Sequence, residues 1–175
     1  MAVSEISETR QYLTFKLEDE IFAIDVAKVQ EVLDYMNITV VPKSPDYMRG
    51  VINVRGSVVP VADLRLKFGM TRTEKAVDTC IIATEIVMDE ETTVIGALAD
   101  SVQEVVDIGP EQIEPAPKIG SRWRPEFIRG IGKHNDRFII ILEIDRIFSA
   151  EELERVQGGN FEEAIAANVK EEPVH

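Results

Sequence analysis

Two stretches of this chain are near copies of two others, in the same order. Val29–Asp34 reads VQEVLD and Val102–Asp107 reads VQEVVD, identical at five of six positions. Pro45–Val51 reads PDYMRGV and Pro125–Ile131 reads PEFIRGI, with Pro, Arg and Gly identical and the other four positions conservatively changed. The chain is thus one structural unit of roughly 65 residues used twice. The expected organisation is one domain over 12–149, with repeat 1 at about 12–69 and repeat 2 at about 78–149. An N-terminal segment, 1–11, precedes it, and a C-terminal helix and acidic tail, 150–175, follow. A doubled small unit has a shared interior and a seam, so the search for function moves to the surface around that seam.

The pattern within each repeat is that of short strands. Tyr12–Leu17 alternates in polarity, Glu18-Asp19-Glu20 is a polar turn, and Ile21–Ile24 returns as the partner strand. Asp25 is placed to cap a helical turn over Val26 to Gln30. Gly50–Val54 and Val58–Ala62 read as strands around an Arg55-Gly56 turn, and Asp63 to Phe68 as a short helix closed by Gly69. Pro60 cannot donate to a ladder, which predicts an edge strand or a bulge there. The second copy repeats the plan, with strands over Asp78 to Ile86 and Thr93 to Leu98. A hairpin joins Ile131–Lys133 to Arg137–Leu142, its turn set by Asn135-Asp136. Ser149-Ala150-Glu151-Glu152 is a capping box for a C-terminal helix. About five short strands per repeat, punctuated by Gly and Pro, predict a mainly β fold of two small barrels packed back to back.

Composition excludes several functions. Nineteen Lys and Arg against 32 Asp and Glu give a net charge of −13, the wrong sign for a phosphate-binding face or an anionic membrane surface. No apolar run approaches the ~20 residues that cross a bilayer. The acidic start lacks the features of a secretory signal. The single Cys80 has no internal disulfide partner, which with the missing signal points to the cytosol. Chemistry-bearing patterns are absent as well: no nucleophile elbow, metal-ligand spacing, P-loop or dinucleotide fingerprint occurs, and the two histidines are His134 and His175. The expectation is a protein that is not an enzyme and takes no cofactor or metal.

The candidates that remain are surface residues. The VQEV blocks fit half-buried segments with the valines in and Gln30, Glu31, Gln103 and Glu104 out, which leaves the repeated polar pair unexplained. Trp123, in Ser121–Pro125, reads as a cap on a barrel end or as a partner anchor. Arg55 is the sharpest candidate. It stands at a predicted hairpin tip in a chain poor in cations, and the aligned residue of the second repeat is Asn135, so the fold does not demand arginine. Its alternatives are a solvated turn residue paired with a carboxylate and a partner anchor.

Taken together and in order, several segments resemble the CheW family of bacterial chemotaxis coupling proteins. They are the hairpin Phe15 to Ile24, Asp25–Val32, Tyr47–Gly56, Val59–Arg65 and Glu111–Pro117. The resemblance spans about Tyr12 to Glu154. It implies two intertwined five-stranded SH3-like barrels. It also implies a non-catalytic cytoplasmic adaptor of a two-component system, joining the regulatory domain of the histidine kinase CheA to the tips of methyl-accepting chemotaxis receptors. Receptor contact in the family maps onto Val29, Glu31, Gly50, Arg55, Gly56, Val102 and Val105, and Gly96 aligns with a glycine that affects coupling. A coupler of a receptor-kinase pathway other than chemotaxis and a small ligand-binding barrel are the alternatives.

Overall fold

The structure, a computed structural model, describes residues 8–88, 90–115 and 125–148. The expected capping box at Ser149, the helix and tail beyond it, the N-terminal segment to Ser7 and the Trp123 segment lie outside the described residues. Among the described residues eleven strands form two sheets. The first has the order β8-β1-β2-β11-β10-β9 and the second β3-β6-β7-β5-β4. The strands are β1 (Arg10–Leu17), β2 (Glu20–Asp25), β3 (Val29–Asp34), β4 (Met48–Val54), β5 (Ser57–Asp63) and β6 (Cys80–Met88). They continue as β7 (Glu91–Ala99), β8 (Ser101–Ile108), β9 (Ile113–Glu114), β10 (Ile128–His134) and β11 (Arg137–Leu142), with one short helix, α1 (Leu64–Lys67).

The two sheets exchange strands between the repeats. The β1–β2 hairpin keeps its partner strand from the second repeat, β8, while β3 pairs antiparallel with β6. Neither repeat therefore builds a sheet by itself, and two independent units placed back to back give way to an intertwined mainly β fold. Parallel contacts of β11 with β2 and of β5 with β7 complete the two sheets.

Strand alternation explains the core. Tyr12 and Ala23 point into a cluster private to the first sheet, with Val106, Ile108, Ile139 and Ile141. Their neighbours Leu13, Phe15, Phe22 and Ile24 point the other way, into the largest cluster, which also takes Val51, Ile82, Ile86 and Ile95 from the second sheet. Ile81 and Leu98 join Ile38, Ile52, Val59 and Val61 in the second sheet's own cluster. Adjacent residues such as Ile81 and Ile82 are buried on opposite faces, so the strands read as continuous apolar runs.

Three local expectations change. The helical turn after Asp25 is shorter, Val26–Lys28, capped by the Asp25 carboxylate accepting from the Ala27 amide at 2.9 Å, and the chain is already extended at Val29. Pro60 lies in an inner strand rather than at an edge: β5 sits between β7 and β4. Its pairing with β7 begins only at Val61, so Pro60 has no β7 partner to disappoint. The VQEV valines do not all point inward. Val32 and Val105 are 45% and 50% exposed, whereas Glu31 is half-buried. Both blocks carry a register shift: Val29 and Glu31 oppose consecutive residues of β6, and Val102 and Val105 oppose Phe15 and Leu13. A β-bulge at each Gln-Glu pair accounts for its recurrence. In the second copy the Thr14 hydroxyl fills the gap, donating to the Glu104 carbonyl at 2.8 Å and accepting from its amide at 3.1 Å.

Candidate partner-binding site

The β4–β5 hairpin turns at Arg55-Gly56, with positive φ at both residues, +52° and +89°. The Asn53 side chain accepts from the Gly56 amide at 2.8 Å and closes the turn. Glycine meets the second position without strain, but a left-handed arginine is uncommon and costs backbone energy. The sister turn, Asn135-Asp136, has the same geometry with φ of +52° and +63°, filled by residue types that tolerate it better. Arginine at this tip thus serves something other than the turn.

The Arg55 guanidinium reaches across to β3, where it donates to both carboxylate oxygens of Glu31 at 2.7 and 3.0 Å. The fork-on-fork geometry fixes the arginine while its side chain stays 74% exposed. The hydrogen bond and charge of Arg55 hold the Glu31 carboxyl below the ordinary glutamate range, and Glu31 in turn raises the Arg55 guanidinium. Beside the pair lies an open groove of about 580 Å³, walled by Val54, Val58, Pro60, Thr93 and Val94. Gln30, Ser57 and Thr92 also line the groove, so it is a mixed surface of valines and polar side chains with a clamped cation at its rim.

The residues indicated by the sequence do not all share this surface. Glu31, Arg55 and Gly56 meet at the tip. Gly50 is buried: a Cβ there would sit 2.1 Å from the Thr39 carbonyl oxygen, because Thr39 and Val51 exchange hydrogen bonds alongside it. Its counterpart Gly130 is equally confined, a Cβ meeting Ile113 at 2.5 Å. Val29 and Val102 are half-buried and pack against the central core. Val105 is exposed on β8, in the other sheet. Gly96 is internal to β7, between Ala83 on β6 and Val61 on β5, with Ile81 Cγ2 only 2.7 Å from where a Cβ would stand.

Sequence reasoning missed the fixed acid-base framework behind these surfaces. The Arg of each repeated x-Arg-Gly motif is turned inward. Arg49, 8% exposed, pairs with the fully buried Asp63 at 2.9 Å. Asp63 also accepts from the Thr73 amide and hydroxyl at 3.0 and 2.7 Å, tying down the segment between the repeats. Arg129 binds Glu143 through two contacts of 3.0 Å. The repeated arginine was the available signal, since recurrence in both copies marks a residue the fold itself demands.

Among the described residues no cluster of three or more His, Cys, Asp or Glu is placed to hold a metal ion, and no helix is long and apolar enough to cross a membrane. Duplicated, intertwined sheets with a bidentately held arginine at an exposed hairpin tip define a small β scaffold. The comparisons make this specific: the CheW-like domain model matches residues 11–152, and the chain belongs to that family. It is similar to the chemotaxis protein CheW of Klebsiella aerogenes, 34% identical over 144 residues, covering 82% of this chain and 84% of that protein. CheW of Rhizobium meliloti is 32% identical over 145 residues, covering 83% and 91%. The crystal structure of the scaffolding protein TtCheW from Thermoanaerobacter tengcongensis superposes with a TM-score of 0.72 at 33% identity, covering 82% of this chain and 90% of the other.

Proposed function

We propose that this CheW-family scaffold is a non-catalytic adaptor that couples the cytoplasmic tips of methyl-accepting chemotaxis receptors to the histidine kinase CheA. It acts in the cytoplasm, beside membrane-bound receptor arrays, as one unit spanning about 12–149. The observation that carries the reading is the Arg55–Glu31 clamp at a strained hairpin tip beside an open groove in which Val54, Val58, Pro60 and Val94 lie among polar side chains. A receptor tip is a helical hairpin, and such a groove receives a helix face. Glu31, Arg55 and Gly56 form the contact. Val29, Gly50 and Val102 support it from inside, Val105 gives a separate exposed contact on the other sheet, and Gly96 acts on coupling through sheet packing. The adaptor changes kinase output by favouring one geometry of the linked assembly, a population shift that needs no chemistry of its own.

A pull-down with a CheA regulatory domain and a receptor-tip fragment tests this. Retention of both by the chain is expected, and retention of neither overturns the proposal. A receptor-kinase pathway outside chemotaxis would use the same two surfaces with a different receptor set.

A further inference from the structure

The β4–β5 and β10–β11 hairpins are rooted in the same way. At the base of the first, the Asp63 amide donates to the Tyr47 carbonyl at 2.6 Å. At the base of the second, the Glu143 amide donates to the Phe127 carbonyl at 2.8 Å. Tyr47 and Phe127 are the aligned aromatics of PDYMRGV and PEFIRGI, and each stands immediately before its strand, β4 or β10. Phe68 and Phe148 correspond as well, five residues past Asp63 and Glu143.

Lys67, the last residue of α1, stands where these roots meet. Its ammonium lies 4.4 Å from the centre of the Tyr47 ring and 5.7 Å from the centres of the Phe127 and Phe148 rings. The rings are packed on one another and on the core. Tyr47 and Phe148 have centroids 6.0 Å apart, and Phe127 is 6.0 Å from Phe68, the neighbour of Lys67 in sequence. Phe127 and Phe148 are buried, at 7% and 4% exposure. One ring of this cage comes from the first repeat and two from the second, so the cation spans the seam. A cation within about 6 Å of an aromatic centre is drawn to the negative face of the ring, and more strongly where water is excluded.

The fold does not ask for a cation here. The residue of the second repeat that answers to Lys67, four past Glu143, is Ile147, buried in the central core. An apolar side chain therefore satisfies the sister position. A lysine whose stem merely filled space would give way to methionine without loss. Three rings gathered around the Nζ atom instead place the attraction at the charge.

We propose that Lys67 is the pin of a cation–π latch across the seam. Its charge holds the Tyr47 root of β4 against the Phe127 root of β10, so that the Arg55 tip and the Asn135-Asp136 tip are anchored in one joint and a displacement at either root is felt at the other. The latch is a property of the chain alone and stands apart from the adaptor reading.

The test is amide hydrogen exchange of the full chain, followed by NMR at the two root amides, Asp63 and Glu143. Lys67→Met keeps the length and apolar stem of the side chain and removes the charge. It speeds exchange at both amides by roughly threefold to tenfold and leaves Ile82, inside β6, at the wild-type rate. Lys67→Arg, which keeps a cation over the rings, stays close to wild type. In a chain already carrying Tyr47→Leu, which removes the nearest ring face, Lys67→Met adds less than it does alone. Wild-type rates at both amides in Lys67→Met overturn the latch. A response at Asp63 with none at Glu143 also overturns it, because the pin would then act within one repeat. Equal acceleration by Lys67→Met and Lys67→Arg assigns the effect to packing and overturns the role of the charge.

Discussion

Arg55 and Glu31 stand 24 residues apart in sequence and meet across two strands of one sheet, β4's turn and β3, through two parallel hydrogen bonds. The pair lies at the surface, where ion pairs contribute little to stability. Its effect is to aim a guanidinium that would otherwise swing freely on a tip. Arg55→Glu therefore leaves the thermal unfolding midpoint near the wild-type value, as followed by circular dichroism. Glu31→Gln leaves the arginine charged but loosens its aim, and weakens receptor-tip binding less than Arg55→Glu does.

The same pair predicts a pH signature. Arg55 lowers the Glu31 carboxyl, so the native pKa is depressed. The interaction is fully present above the ordinary glutamate pKa and is lost as pH falls through the lowered native value. In a carbon-detected NMR titration Glu31 protonates at lower pH than an unpaired exposed glutamate, and Arg55→Gln moves it back up. A Glu31 titration unchanged by Arg55→Gln contradicts the contact.

Asp63 is the riskiest residue to change. Its carboxylate answers Arg49, both polar groups of Thr73 and the Arg65 amide that opens α1. Asp63→Asn keeps the shape but removes the carboxylate charge that faces the buried Arg49 at 2.9 Å and sets an amide NH2 among donors. The expected cost is about 3–5 kcal/mol, read as a lowered urea midpoint. A loss under about 1 kcal/mol would mean that water reaches Arg49.

Gly96 separates packing from contact. A Cβ at this position meets Ile81 Cγ2 at 2.7 Å inside a sheet with strands on both sides. Gly96→Val costs about 1–3 kcal/mol in equilibrium unfolding. If coupling is lost while stability is unchanged, Gly96 acts by direct contact instead.

Cys80 is buried in the central core, and burial pushes its thiol up, helped by the nearby carboxylates of Asp34, Asp100 and Asp78. Reaction with a disulfide reagent such as DTNB requires thiolate and access. The native chain is unreactive at neutral pH and yields one thiol per chain in denaturant. Rapid native reaction would contradict the burial.

Much of this architecture was legible in the repeated segments. The hairpins, the Asp25 cap and the Asn135-Asp136 turn follow from local chemistry, because turns and caps are settled within a few residues, whereas Asp63, read as part of the short helix, is its N-cap. The intertwining came only through the family resemblance, and which strands cross, the β1–β2 hairpin into one sheet and β6–β7 into the other, was not legible. Pairing β3 with β6 or with its own repeat satisfies the same alternation, and only the shared interior of Phe15, Phe22, Ile82 and Ile86 decides between them. The bulges hid for a similar reason: an extra residue in one strand is visible only against the register of its partner. At the site, the exposure of Arg55 came from the turn and from its absence in the second copy. Its partner Glu31 was named only through the family, since a contact over 24 residues leaves no local trace.

The central claim is that the Arg55 tip transmits receptor control to the kinase while the chain itself catalyses nothing. The most direct measurement is kinase autophosphorylation in a reconstituted mixture of receptor, CheA and this chain. The wild-type chain makes kinase activity depend on receptor, and Arg55→Glu, still folded, abolishes most of that dependence. Receptor control that is equal with wild type, with Arg55→Glu and with no added chain would contradict the account.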